Sequence, residues 1–116
     1  IASVYINRLK KGMRLGADPT VKFASGDFAA RRVTFRMIDE SSESPYNTYK
    51  NPGLPPGPIC TPSIKTIDAV LSATDTDYLY FCAKPDFSGY HSFAATDAEH
   101  LKNARAYQRA LDSLQI

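Results

Sequence analysis

The sequence has 116 residues, 43% apolar and 22% charged, with a net charge of +2. That length holds at most one domain and buries roughly two thirds of its unfolded surface. The basic residues come as pairs, Lys10-Lys11 and Arg31-Arg32, with no aromatic ladder between them, so nucleic acid is not an expected partner. No run of eighteen apolar residues is present, so no segment here is expected to span a membrane.

Residues 1–11 place Ala2, Tyr5, Ile6 and Leu9, with Met13 beyond, at the spacing of an amphipathic helix. Lys10 and Lys11 suit the negative end of its dipole, and Gly12 is a natural stop. Ile1-Ala2 offers no cap and the periodicity is already running at the first residue. The expectation is a helix cut in its middle and a chain that is one piece of a longer protein.

Asp18-Pro19-Thr20 predicts a helix start with Asp18 as N-cap and proline at the first helical position. That helix should run through Val21, Phe23 and Ala24 and stop near Ser25-Gly26. Val33 to Ile38 reads as a strand or a short helix, and Ser41-Ser42-Glu43-Ser44 as a polar loop.

Residues 46–62 hold five of the eight prolines, and Pro45 sits just before them. Each proline fixes φ, removes a backbone donor and pushes its predecessor out of the helical region. The stretch is therefore expected to be a stiff extended loop, with Gly53 and Gly57 at positive φ. It opens on Tyr46-Asn47-Thr48-Tyr49, two aromatic faces and an amide at little cost in ordering entropy, which suits a ligand wall. A proline-rich linker or polyproline ligand is the plainer reading, but linkers are usually poor in aromatics.

Pro62-Ser63 should open a helix with Ile64, Ile67, Ala69, Val70 and Leu71 as its inward stripe, closed by Asp75 to Asp77. Tyr78 to Ala83 reads as a buried strand, Lys84 to Gly89 as a hairpin turn, and Tyr90 to Phe93 as the returning strand. Thr96-Asp97-Ala98-Glu99 matches a capping box. The last helix should reach Gln115, with Leu101, Ala104, Tyr107, Ala110, Leu111 and Leu114 inward. The fold class is α+β: a small antiparallel sheet with packed helices and a long proline-rich loop.

No catalytic constellation assembles from these residues. No serine sits in a nucleophile elbow, and the glycines are too scattered for a phosphate cradle. Cys60 and Cys82 lack zinc-ligand spacing, and His91 and His100 do not complete a site, so no metal and no cofactor is expected. The two cysteines permit one disulfide, but two buried thiols are the preferred reading. His91 reads as a strand residue beside Tyr90, and His100 as a surface or hydrogen-bonded histidine.

Met13-Arg14-Leu15, Asp18-Pro19-Thr20, the proline stretch and Asp77-Tyr78-Leu79-Tyr80-Phe81 occur in the order in which similar segments occur in one family. Through them the chain closely resembles the endolytic murein transglycosylases, the MltG or YceG-like family. The resemblance covers nearly the whole chain and implies that residues 1–116 are the C-terminal part of a YceG-like catalytic domain.

It implies a bacterial lyase that cuts the β-1,4 bond between N-acetylmuramic acid and N-acetylglucosamine inside glycan strands, leaving a 1,6-anhydro end. One carboxyl group would serve twice, first as acid toward the leaving oxygen, then as base toward the muramic C6 hydroxyl. The family's glutamate would lie upstream of Ile1, and none of Asp39, Glu40, Glu43 and Glu99 sits in a matching motif. By the same resemblance the parent protein carries an N-terminal membrane anchor absent from this sequence. It would face the periplasm or cell exterior from the cytoplasmic membrane, with peptidoglycan strands, and cell-wall synthesis proteins, as partners.

The substrate-binding residues implied by similarity are Asp18, Thr20, Tyr46, Asn47, Thr48 and Tyr49, with Leu54, Pro55 and Gly57 shaping the loop. Asp18 is read either as a helix cap or as a sugar contact. Asn47 is read either as bonding sugar or as bonding its own turn. Where the family commonly has glutamine, this chain has Gly16, which cannot bond to a sugar or an acid. The alternative function is a glycan-binding module without catalysis. A pyridoxal-phosphate lyase is rejected because the domain is small and no lysine sits in a recognisable cofactor site.

Overall fold

The computed structural model describes residues 1–30 and 32–114. Among them the order is α1 (Ala2–Lys10), α2 (Asp18–Ser25), α3 (Phe35–Glu40), α4 (Ile64–Leu71), β1 (Tyr80–Ala83), β2 (His91–Ala94) and α5 (Asp97–Ser113). This is the α+β class expected from the sequence. The described residues form two compact units, Ile1–Asn7 with Ser72–Ile116, and Arg8–Leu71.

In the first unit β1 and β2 pair antiparallel, Tyr80 opposite Ala94 and Ala83 opposite His91. The strands are half-buried along most of their length, because α5 covers them. Thr96 caps α5, its hydroxyl accepting from the Glu99 amide at 3.3 Å, so the threonine half of the expected capping box is present. Ala94 of β2 and Leu111 of α5 are buried, while Leu101 and Leu114, expected inward, are exposed. The ring of His100 stacks on Tyr80 with centroids 4.9 Å apart, and His91 meets Phe81 edge-on. The predicted end of the last helix at Gln115 lies outside the described residues.

The α1 residues of this unit tie down the run before β1. The Asn7 amide donates to the carbonyls of Thr76 and Tyr78 at 2.8 and 2.9 Å, and Ser3 shares a 2.8 Å hydrogen bond with Thr76. The buried residue of α1 is Val4, 1% exposed, whereas Leu9 on the predicted stripe is exposed. The pattern located the helix correctly and its inner face imperfectly. A helix this short places too few apolar residues to define a stripe sharply.

The second unit begins as α1 ends: Gly12 takes φ +71° and the Met13 amide bonds back to the Arg8 carbonyl at 2.9 Å. The Asp18 cap is corrected. The N-cap is Ala17, which makes no side-chain cap bond, and Asp18 and Pro19 are the first two helical residues. An acid there still favours the helix dipole. Gly26 ends α2 in the left-handed conformation, its amide reaching the Lys22 carbonyl at 2.9 Å. Of the two readings for Val33 to Ile38, the helix holds: Thr34 caps α3, accepting from the Met37 amide at 3.2 Å.

From Ser41 to Ser63 the chain forms turns and bends without helix or strand. Gly53 takes φ +76°, but Gly57 does not adopt positive φ. What Gly57 supplies is room, since a Cβ there would stand 3.3 Å from the Tyr46 hydroxyl. In α4 the expected inward stripe is exposed, Ile64 at 78% and Leu71 at 81%, and the helix ends at Leu71, short of Asp75. Cys60 is likewise exposed and not a core thiol; both cysteines are free.

Candidate functional site

The Arg8–Leu71 unit is built around the turn at residues 47–49. Asn47 is 0% exposed. Its side-chain amide donates to the Ile38 carbonyl at 2.9 Å and to the Ser41 hydroxyl at 3.2 Å. Its side-chain oxygen accepts from the amides of Tyr49 and Lys50 at 2.9 and 3.2 Å. Two donors and two lone pairs are all that a carboxamide has, and here all four are used inside the protein. The oxygen serves its own turn, and the amide reaches α3 and the Ser41 that follows it.

Thr48 is equally buried and reaches the other way. Its hydroxyl accepts from the Ala17 amide at 2.8 Å and shares a 2.8 Å bond with the hydroxyl of Thr20. Thr20 in turn donates to the Ala17 carbonyl at 2.6 Å. The Thr48 carbonyl takes the Gly16 amide at 3.2 Å. The amide of the residue before α2 is therefore satisfied by an oxygen 31 positions along the chain.

This lacing brings Tyr49 beside Asp18, and the Tyr49 hydroxyl donates to Asp18 Oδ1 at 2.5 Å. Asp18 is exposed and Tyr49 half-buried, so the pair faces solvent at the start of α2. Tyr46 packs against Phe23 with ring centroids 4.7 Å apart, its hydroxyl against Gly57. Leu54, 71% exposed, stands out from the loop, and Pro55 and Gly57 are half-buried.

The nine residues singled out from the sequence thus divide by what they touch. Asn47, Thr48 and Thr20 are interior struts. Tyr46, Pro55 and Gly57 are partly covered, and Asp18, Tyr49 and Leu54 offer surface. Sequence reasoning missed two supports. The Arg8 guanidinium donates to the carbonyls of Arg14 and Leu15, both at 3.0 Å, clamping the strap that leads into α2. Ser41, buried, donates to the Met37 carbonyl at 2.7 Å while receiving Asn47. Neither announces itself in the sequence, because the partners are backbone carbonyls that any residue carries.

The surface pair can read a polyhydroxylated ligand. The Asp18 carboxylate, steadied at one oxygen, keeps lone pairs for hydroxyl or amide N–H donors, and the Tyr49 ring offers an apolar face. Burial is one means of holding a proton on a carboxyl at neutral pH, and all twelve carboxylate side chains here are exposed. Among the described residues no group of three or more histidine, cysteine or carboxylate side chains could hold a metal ion. No helix there is long and apolar enough to cross a membrane.

Comparison with known proteins gives one consistent answer. Residues 1–106 match the YceG-like family. The chain is 48% identical over 107 residues to an endolytic murein transglycosylase of Bacillus subtilis (strain 168), covering 92% of this chain and 28% of that protein. It is 35% identical over 105 residues to the endolytic murein transglycosylase of Streptococcus pneumoniae serotype 2, covering 89% and 19%. A crystal structure of a yceG-like protein from Listeria monocytogenes superposes with a TM-score of 0.76 at 44% identity, over 87% of this chain and 31% of that one. The chain spans less than a third of the length of each.

Proposed function

The chain belongs to the YceG-like family, and from that premise we propose that it forms the glycan-binding part of a peptidoglycan lytic transglycosylase. The substrate is a murein glycan strand, and the parent enzyme cuts its β-1,4 MurNAc–GlcNAc bond to leave a 1,6-anhydro end. Asp18 accepts from sugar hydroxyl or acetamido donors, the Tyr49 ring lies against a sugar face, and Leu54 and Pro55 extend the wall. Tyr46, Gly57, Asn47, Thr48 and Thr20 shape it from within.

The reaction needs one carboxyl group that gives a proton to the leaving oxygen and then takes one from the muramic C6 hydroxyl. That group lies outside these 116 residues in this reading. The exposure of every carboxylate here supports it, since desolvation is one means of keeping such an acid protonated. The same observation favours a second reading, in which this part by itself binds glycan without cutting it. The parent acts on the extracytoplasmic side of the cytoplasmic membrane, held by an N-terminal anchor, alongside cell-wall synthesis proteins.

The observation that carries the proposal is the solvent-facing Tyr49–Asp18 hydrogen bond. Glycan strands freed of stem peptides and titrated into the chain by calorimetry test it. Tyr49→Phe and Asp18→Asn should each weaken binding roughly three- to tenfold, the worth of one hydrogen bond, while melting as the wild type does. Unchanged affinity in both variants removes the wall from the function.

A further inference from the structure

The loop and α2 meet residue by residue, in opposite directions. Tyr46 packs on Phe23 with ring centroids 4.7 Å apart, Thr48 shares its 2.8 Å hydrogen bond with Thr20, and Tyr49 reaches Asp18. The line along which they meet is a seam. Thr20 and Thr48 are buried in its middle, while Asp18 and Tyr49 at one end, and Phe23 and Tyr46 at the other, keep surface in contact with solvent. From Asp18 to Phe23 the helix rises roughly 8 Å.

The aromatic surface continues past Phe23. The ring of Phe28, just beyond the Gly26 stop of α2, meets Phe23 edge-on with centroids 6.5 Å apart and an interplanar angle of 79°. Phe28 is 69% exposed, so this contact hides little of it. The Gly26 amide already closes α2 on the Lys22 carbonyl, so the helix end is held without the ring. A single surface phenylalanine is ordinary, but this one ends a row of rings, Tyr46, Phe23 and Phe28, that starts in the loop carrying the wall.

We propose that Phe28 is a second stacking position for the glycan strand. A sugar bound at Asp18 and Tyr49 is followed along the seam by another whose apolar face lies on the Phe28 ring. The proposal rests on the wall reading above, and continuity with that wall is what carries it. A pyranose presents C–H groups on its faces and hydroxyls around its edge. An exposed ring without a polar group covers the face and leaves the edge to water.

Calorimetric titration with peptide-free glycan strands should show Phe28→Ala binding roughly three- to tenfold more weakly, the loss of one covered ring face, while melting as the wild type does. Phe28→Tyr keeps the ring and should bind normally. Phe28→Leu refills the contact with Phe23 but has no flat face, and should bind as weakly as the alanine variant. The chain has no tryptophan, so Phe28→Trp places a single fluorophore at the site. Its emission should move to the blue as strands are added, with the midpoint found by calorimetry.

Wild-type affinity in Phe28→Ala beside a weakened Tyr49→Phe overturns the proposal and leaves the wall standing. Wild-type affinity in both Tyr49→Phe and Asp18→Asn overturns the wall and the proposal with it. Should Phe28→Ala fail to fold, Phe28→Leu decides, and wild-type affinity there shows that no flat ring is read. Emission of Phe28→Trp that ignores added strands, or that shifts with protein concentration in their absence, assigns the ring to something other than sugar and overturns the proposal.

Discussion

Thr20 and Thr48, 28 residues apart, share a 2.8 Å hydrogen bond in a buried setting, and Thr48 also receives the Ala17 amide. Two hydroxyls therefore join the start of α2 to the loop. Thr48→Val keeps the shape and removes the acceptor, leaving the Ala17 amide and the Thr20 hydroxyl without this partner. The expected cost is about 1–3 kcal/mol, read as a lower urea midpoint at unchanged slope. Thr48→Ser should retain most of the stability.

Asn47→Ala is expected to act on the fold. It removes both acceptor contacts to the Tyr49 and Lys50 amides and both donor contacts to Ile38 and Ser41 in a buried place. A fall in melting temperature of several degrees should follow, with glycan affinity intact in the folded fraction. A variant that melts normally but fails to bind glycan would return Asn47 to the role of a sugar contact.

The 116-residue chain, incubated with purified sacculi, should release no anhydro-muropeptides by mass spectrometry. The basis is the exposure of all its carboxylates, which leaves no desolvated acid to protonate a glycosidic oxygen. Robust anhydro product from the chain alone contradicts this.

The two thiols should react at separate rates. Burial pushes the Cys82 thiol up from its ordinary value, while Cys60 is exposed. Since the thiolate is the nucleophile, iodoacetamide at mildly alkaline pH should label Cys60 first and Cys82 slowly, as peptide mapping would show. Equal rates would mean that β1 opens readily.

Asp86 in the hairpin turn carries a lowered pKa, held down chiefly by hydrogen bonding from Ser88, whose amide stands 3.0 Å away, with Lys84 adding a smaller attraction. A carboxylate whose folded pKa is depressed supports the fold above its unfolded value, about 3.9, and loses that support as pH falls through the folded one. The Ser88 amide resonance should therefore titrate with a midpoint below the usual aspartate range, and Asp86→Asn should abolish the titration. A midpoint at or above about 4 would show that the turn bond does not persist in solution.

Much of this protein is determined by the sequence read along its own length. Proline chemistry excluded helix and central strand from residues 46–62, Gly12 and Gly26 end helices, Thr96 starts one, and aromatic composition marked the hairpin. Each of these signals acts within about four residues, the reach of a cap, a turn or one helical repeat. What the tertiary structure alone decided lies at longer range. Ala17, not Asp18, is the N-cap residue, and its own amide is met by the Thr48 hydroxyl 31 residues along the chain. Asn47 turns inward because the carbonyl of Ile38 and the hydroxyl of Ser41 await it, and the apolar residues of α4 are exposed where periodicity alone would bury them. A side chain's spacing tells which residues share a face. What lies opposite that face is set by the rest of the chain, and that is what separates a strut such as Asn47 from a surface contact such as Tyr49.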